Sequence, residues 1–253
     1  TQRSYLARLN ADGTLDPGFD PSPNSFVFCV MPQADGKVLL GGMFFSLKPN
    51  GATVSIQRRY VARVHADGSL DAGFDPNTSS DVSCIAVQTD GKILLGGYFN
   101  SLRPNGAATS ITKPNFARLH TDGTLDDSFN VEPNSVVRSI TLQGDGRIVF
   151  GGDFTSLKMN GASATPRGYI ARLHRNGILD ASFDPKASSR VTNIVMQEDG
   201  KILLGGSFLS LQPNGATSPT TRRYFARLSN NGTEQGLKAL DATHIVWTRR
   251  GSA

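Results

Sequence analysis

One phrase is written four times in this chain. Gln33-Ala-Asp-Gly-Lys-Val-Leu-Leu-Gly-Gly-Met-Phe44 recurs from Gln88, from Gln143 and from Gln197, and the glycine pairs beginning at Gly41, Gly96, Gly151 and Gly205 set a period of 55, 55 and 54 residues. A fixed period of this length excludes most folds built around a single core and requires units that stack on their neighbours. A second phrase keeps the same period: Leu6-Ala-Arg-Leu-Asn-Ala-Asp-Gly-Thr-Leu-Asp16 returns from Val61, Phe116 and Ile170. A fifth copy, from Phe225, keeps Ala226-Arg227-Leu228 and Asn231-Gly232. It has Glu234-Gln235 in place of Leu-Asp and Lys238 in place of Phe19, Phe74, Phe129 and Phe183, so the array decays toward its C-terminal end.

Within one unit, Val82-Ser-Cys-Ile-Ala-Val87 is short and β-branched, and Lys92-Ile-Leu-Leu95 is apolar. Asp90-Gly91 between them signals a tight hairpin, giving strands A and B. Tyr60-Val-Ala-Arg-Val64 forms strand C, and Asp67-Gly68 turns it into a short strand D around Ser69-Leu70. No helical spacing longer than a turn appears, and glycine and proline are too frequent for long helices. Repeated four-stranded antiparallel units with a Gly-Gly pair and regular aromatics predict an all-β fold, a β-propeller of four-stranded blades. Four complete units, beginning near Val27, Val82, Val137 and Val191, follow an opening C–D segment. The repeats are expected over residues 1–240, and 241–253 as a closing strand or the start of a following domain. If the run His244-Ile-Val-Trp-Thr248 pairs with the opening segment, the ring has five blades.

The composition, 38% hydrophobic and 19% charged over 253 residues, is that of a soluble chain with a sizeable core. No apolar run approaches the roughly 20 residues of a membrane helix. Thr1 is not an initiator, so the chain reads as a mature product or a fragment. Its net charge of +5 is spread through the repeats, with Arg58-Arg59 and Arg222-Arg223 the only adjacent basic pairs before Arg249-Arg250. That distribution argues against nucleic acid as a partner. Cys29 and Cys84 share one repeat position, where the later copies have Ser139 and Asn193, and are expected as buried free thiols.

The two phrases, Q-x-D-G-K-I-L-L-G-G-x-F and A-R-L-x-x-D-G-x-L-D-x-x-F, resemble the delta-60 repeat family, a set of bacterial β-propeller repeats found in tandem in large exported proteins. The resemblance covers nearly all of residues 1–240 and implies a secreted or cell-surface location. It implies no activity and carries over no catalytic residue. The tail from Ala239 departs from the repeat.

Candidate chemistry is sparse. His65, His120 and His174 align between units, but equivalent positions on the third strands of different blades cannot converge within the roughly 2.1 Å of a metal site. Asp12, Asp16 and Asp20, and their copies, lack the dense oxygen spacing of a calcium loop. The recurring Arg8, Arg63, Arg118 and Arg172 are instead expected to pair with Asp16, Asp71, Asp126 and Asp180. No nucleophile elbow, zinc signature, phosphate loop or dinucleotide fingerprint is present. The glycine pairs read as close backbone approach within a crowded strand. Catalytic residues, metal and cofactor are therefore all expected to be none.

Loop asymmetry supplies the functional expectation. Both Asp-Gly hairpins of a unit are tight, whereas the B–C connection, Ser46 to Arg58 and its counterparts, runs to about a dozen residues, beyond the usual 2–5 of a hairpin. The expected contact residues there are Asn50, Arg58, Arg59, Asn105, Asn160, Asn214, Arg222 and Arg223. The asparagines, each before glycine, suit turn formation as well as sugar hydroxyls. The chain is thus expected to be a non-enzymatic extracellular scaffold or binding module for a polysaccharide, surface or protein partner. The alternatives are a structural subunit joined through its terminal strands and, third, a propeller glycan hydrolase or lyase. The near-identity of the copies argues against the unequal central site such an enzyme needs.

Overall fold

The computed structural model describes residues 3–214, 216–229, 234–239 and 245–250. Four antiparallel sheets carry the repeat, each with strand B between A and C. Strands A, B and C are Val27–Pro32, Val38–Gly42 and Val61–Val64 in the first blade, and Val82–Val87, Ile93–Gly97 and Phe116–Leu119 in the second. They are Val137–Leu142, Ile148–Gly152 and Ile170–Leu173 in the third, and Val191–Met196, Ile202–Gly206 and Phe225–Leu228 in the fourth. Strand D is reduced to single bridges, Val64 to Leu70, Leu119 to Leu125 and Leu173 to Leu179, with Leu9 to Leu15 in the opening segment. The A–B turn closes by Gln33 N donating to Lys37 O at 2.8 Å and Gly36 N to Gln33 O at 3.0 Å. Gly36 sits at φ +83°, the left-handed position that ends a three-residue hairpin.

Neighbouring blades meet along a recurring apolar seam. Val61 at the start of one strand C packs in one cluster with Val82 and Ile85 of the next strand A. Phe116 does so with Val137 and Ile140, and Ile170 with Val191 and Ile194. The glycine pair makes the seam possible. A Cβ at Gly96 would sit 2.7 Å from Val137 Cγ1 and 2.6 Å from Cys84 Sγ, and one at Gly97 would sit 2.1 Å from Asp81 O. The first glycine thus admits the next blade and the second admits the blade's own strand A. Cys29 and Cys84 fill the space beneath the first glycine as free thiols, and burial pushes the Cys29 thiol up to about 12.

The long B–C connections are not free loops. Ser46–Leu47 pairs with Ile56–Gln57 as a bent continuation of strands B and C, and Leu47 bridges to Pro23 in the preceding D–A connection. The same extension recurs in every blade, with Leu47, Leu102, Leu157 and Leu211 at 0, 0, 0 and 3% exposure. The tips of these connections reach the C–D turns. Asn50 Nδ2 donates to Asp67 O at 3.0 Å and Asn105 Nδ2 to Asp122 O at 3.2 Å, so each tip lies against a C–D turn. Burial of one leucine per connection offsets the cost of ordering it.

The arginine–aspartate pairs form as expected, within the C–D hairpin. Arg118 Nε donates to Asp126 Oδ2 at 2.8 Å, Lys92 Nζ reaches the same oxygen at 2.7 Å, and the guanidinium lies 4.5 Å from the Phe129 ring centroid. Its Nη1 crosses to the next blade and donates to Arg175 O at 2.9 Å, as Arg63 does to Thr121 O and Arg8 to Ala66 O. Burial alone would raise the Asp126 carboxyl, but hydrogen bonds from Lys92 and Ser128 and the charge of Arg118 outweigh it and hold it well below the ordinary carboxylate range. Among the described residues the tail strands have no ladder to the opening segment. Ile245–Arg250 pairs with Glu234–Ala239 in a two-stranded sheet of their own. His244 and Asn231-Gly232 lie outside the described residues.

Three outcomes follow for stability. Arg118→Ala removes one partner of a buried pair and is expected to cost about 3 kcal/mol in denaturant unfolding; an unchanged midpoint would contradict this burial. Asp126 is depressed in the folded state, so its contribution is present above the unfolded value of about 3.9 and is lost as pH falls toward the folded value. Acid unfolding of Asp126→Asn is therefore expected to be shallower than that of the parent. Gly96→Ala overpacks the seam by about 1–3 kcal/mol. Gly205→Ala should cost far less, because among the described residues its Cβ meets only Asn193 Cβ, at 3.7 Å. Equal melting shifts for the two would refute the seam as the reason for the first glycine.

Candidate functional site

Strand A of every blade carries a β-bulge at its start. In the first blade Val27 pairs with Gly42 and Cys29 with Gly41, leaving Phe28 outside the ladder, and the same shift frees Ser83, Arg138 and Thr192. Strand B is irregular at the same height. Gly42 N donates to Tyr60 O while Tyr60 N donates to Phe44 O, so Met43 drops out of the B–C ladder. Its own N–H instead donates to Phe26 O at 2.8 Å, and Tyr98, Asp153 and Ser207 repeat this with Asp81, Val136 and Arg190. Bulges re-aim side chains without disturbing the pairing on either side.

Three columns of residues stand at this height, and the repeats disagree in all three. They read Phe26, Asp81, Val136 and Arg190; Phe28, Ser83, Arg138 and Thr192; and Met43, Tyr98, Asp153 and Ser207. Phe28, Met43, Asp81, Ser83, Tyr98, Arg138 and Thr192 line one cavity of about 450 Å³, and all of them belong to these columns. All four blades contribute to it, so it is the axial mouth, on the side where strands A begin. Near-identity of the copies thus holds for the framework and fails at the mouth. In the sequence these columns are positions with a different residue in every copy, among several others that also vary.

Charge in the mouth is unevenly committed. Arg138 donates to Asp153 in a two-pronged pair, Nε to Oδ1 at 2.8 Å and Nη2 to Oδ2 at 2.6 Å, and its guanidinium carbon lies 5.5 Å from the Tyr98 ring centroid. That pairing holds the Arg138 pKa above its ordinary value. Burial raises the Asp81 carboxyl, and among the described residues no cation stands within salt-bridge range of it. Phe28, Met43 and Tyr98 are 48, 39 and 43% exposed and form an apolar wall.

The expected contact residues lie elsewhere, none of them lining the mouth. Asn50, Asn105 and Asn160 adopt φ of 50–52°, and the side-chain oxygens of Asn50 and Asn105 accept from Asp20 N and Asp75 N at 3.3 and 3.0 Å. Asn214 Oδ1 accepts from Asp184 N at 2.5 Å. These contacts tie turns of adjacent repeats together. Arg58 donates to Gln57 O and Ala72 O and stands 3.8 Å from Asp75, and Arg222 donates to Thr221 O. Arg59 and Arg223 are exposed. A larger cleft of about 940 Å³ lies between the second and third blades, with Asn160 on its wall. Its cations are already paired, Lys92 and Arg118 with Asp126, Arg147 with Asp145, and Arg175 with Asp90.

Blades stacked in series, with bulged inner strands feeding an axial cavity, define a β-propeller repeat protein. The chain belongs to the family described as a domain of unknown function (DUF5122) beta-propeller, matched over residues 1–19, 33–74, 88–129, 143–183 and 197–233. A comparison with curated proteins finds no match. Among solved structures, the chain is similar to the WD40 beta propeller domain of Doa1, at 15% identity and a TM-score of 0.42 over 78% of this chain and 52% of that one. It is also similar to the extracellular domain of the putative one component system BT4673 from B. thetaiotaomicron, at 13% identity and a TM-score of 0.42 over 89% and 25%. The chain therefore spans about half or less of the length of these structures. No helix among the described residues is long and apolar enough to cross a membrane.

The Arg138–Asp153 pair, with side chains 24 and 26% exposed, is half-solvated, unlike Arg118–Asp126. Arg138→Ala is therefore expected to cost no more than about 1 kcal/mol in thermal unfolding. A loss as large as that of Arg118→Ala would make the pair part of the framework instead.

Proposed function

We propose that this chain is a non-enzymatic binding module whose ligand enters the axial mouth. The observation that carries the reading is the coincidence of divergence and geometry: every lining residue of the mouth comes from the three columns in which the repeats differ. The repeats vary elsewhere too, in strand A and along the B–C connections, but in these columns the variation gathers around one cavity. The mouth also has the mixed lining of a ligand pocket, apolar on one side with few polar groups on the other. Its lining holds one carboxylate and no histidine, and the nearby Asp153 is locked to Arg138, which favours binding over acid–base chemistry. The resemblance to delta-60 repeats supports an exported or cell-surface setting, with a polysaccharide or protein as the bearer of the ligand group.

A structural subunit is the second reading, favoured by Val30 and Phe225, 44 and 60% exposed where their counterparts Ile85 and Phe116 are buried. Native mass measurement of the isolated chain separates the two, since a structural subunit would assemble without ligand. The binding reading is tested by screening the chain on glycan and peptide arrays beside a Phe28→Ser, Tyr98→Ser, Arg138→Ser variant. Array signals are expected to vanish in the variant while its melting temperature stays close to the parent's. Signals that persist, or that disappear on mutation of Arg58, Arg59, Arg222 and Arg223, would place binding on the B–C connections instead.

A further inference from the structure

We infer that the mouth recognises an ammonium group, received by the Asp81 carboxylate and flanked by the Tyr98 and Phe28 rings. The inference rests on the proposed role of the mouth and adds the chemistry of what enters it.

The charges decide the sign of the ligand. Arg138 and Asp81 are the ionisable aliphatic groups of the lining, and the two hydrogen bonds from Arg138 to Asp153 at 2.8 and 2.6 Å commit the guanidinium within its own blade. Asp81, Asp153 and Arg138 together leave one negative charge, and it resides on Asp81. The fold has partly stripped water from that carboxylate without supplying a cation, as its raised pKa reflects. A desolvated carboxylate without a counter-ion gains most from an arriving positive charge. An anionic ligand would meet the same carboxylate and an already neutralised arginine.

The remaining wall fits the same class. Phe28, Tyr98 and Met43 present two ring faces and a thioether around the opening, all more than a third exposed. Aromatic faces attract ammonium groups, and alkylated ones most readily because their shells are apolar. Tyr98 already accepts the Arg138 guanidinium against one side of its ring, at 5.5 Å. A neutral sugar is served less well. The Thr192 hydroxyl donates to the neighbouring strand B at Gly205 O, leaving Ser83 as the aliphatic hydroxyl of the lining with no bond of its own among the described residues. The volume of about 450 Å³ suits a side chain or small head group rather than an extended polymer.

The test titrates the whole chain with choline and, separately, with its neutral isostere 3,3-dimethylbutan-1-ol, following binding by calorimetry and by NMR of the chain. Choline is expected to bind, the alcohol to bind at least about tenfold more weakly, and Asp81→Asn and Tyr98→Leu each to weaken choline by about tenfold. Both variants keep the framework columns intact, and their folding is checked by melting temperature. Equal binding of choline and the alcohol, or choline affinity unchanged in Asp81→Asn, overturns the ammonium assignment while leaving the mouth a binding site. No binding of choline also overturns it. If array signals survive the three-serine variant, the reading of the mouth itself fails, separately from the ligand class.

Discussion

A guanidinium held between a carboxylate and a phenyl ring fixes the geometry of this molecule. In the opening segment and the first three blades the arginine of strand C bonds the aspartate that follows strand D and lies against a phenylalanine three residues beyond it, with Arg8, Arg63, Arg118 and Arg172 at 4.3, 4.4, 4.5 and 4.5 Å from Phe19, Phe74, Phe129 and Phe183. The carboxylate satisfies the charge that burial would otherwise make costly. The planar fork leaves one N–H pair pointing outward, and that pair takes a carbonyl from the next C–D turn. One side chain thus stabilises its own hairpin and sets the position of its neighbour. The reduced fourth strand needs no ladder of its own, because the arginine and the ring hold it in place.

The glycine pair works in concert with this cluster nearer the axis. Where the arginine holds the outer parts of adjacent blades together, the first glycine lets the inner strands approach, with valine Cγ1 atoms at Gly41, Gly96 and Gly151 inside the 3.0 Å that a Cβ would require. Polar fixation outside and close apolar packing inside leave little freedom in the angle between blades. That rigidity gives the mouth a defined shape although its walls come from four separate sheets.

Much of the architecture was legible because it is written in columns. The Asp-Gly turns, the apolar strands, the Arg–Asp pairing and the crowding at Gly-Gly all follow from residues that recur at one period, and each has a local physical cause. The B–C connection misled because its leucine sits alone among polar residues: Leu47 has no periodic apolar neighbour to mark Ser46–Leu47 as buried strand. Asn50 misled for a related reason, since its amide bonds Asp20 and Asp67, 30 and 17 residues away, and spacing within a loop does not reveal such partners. The mouth escaped because attention to repetition passes over what does not repeat. Phe28, Arg138 and the two hydroxyl residues Ser83 and Thr192 have no common side-chain chemistry across the column, and the bulge shows that they occupy one place.

The bulges give this molecule a modular vocabulary. Each blade contributes one interchangeable side chain at the bulge and another after its glycine pair, while register, seam and arginine cluster are set by other residues. Because the first three blades are built alike, exchanging or reordering them would preserve the arginine clusters and the glycine seam and assemble the same parts into a different mouth. New recognition could then arise by recombination between copies, with no intermediate that must first lose its fold.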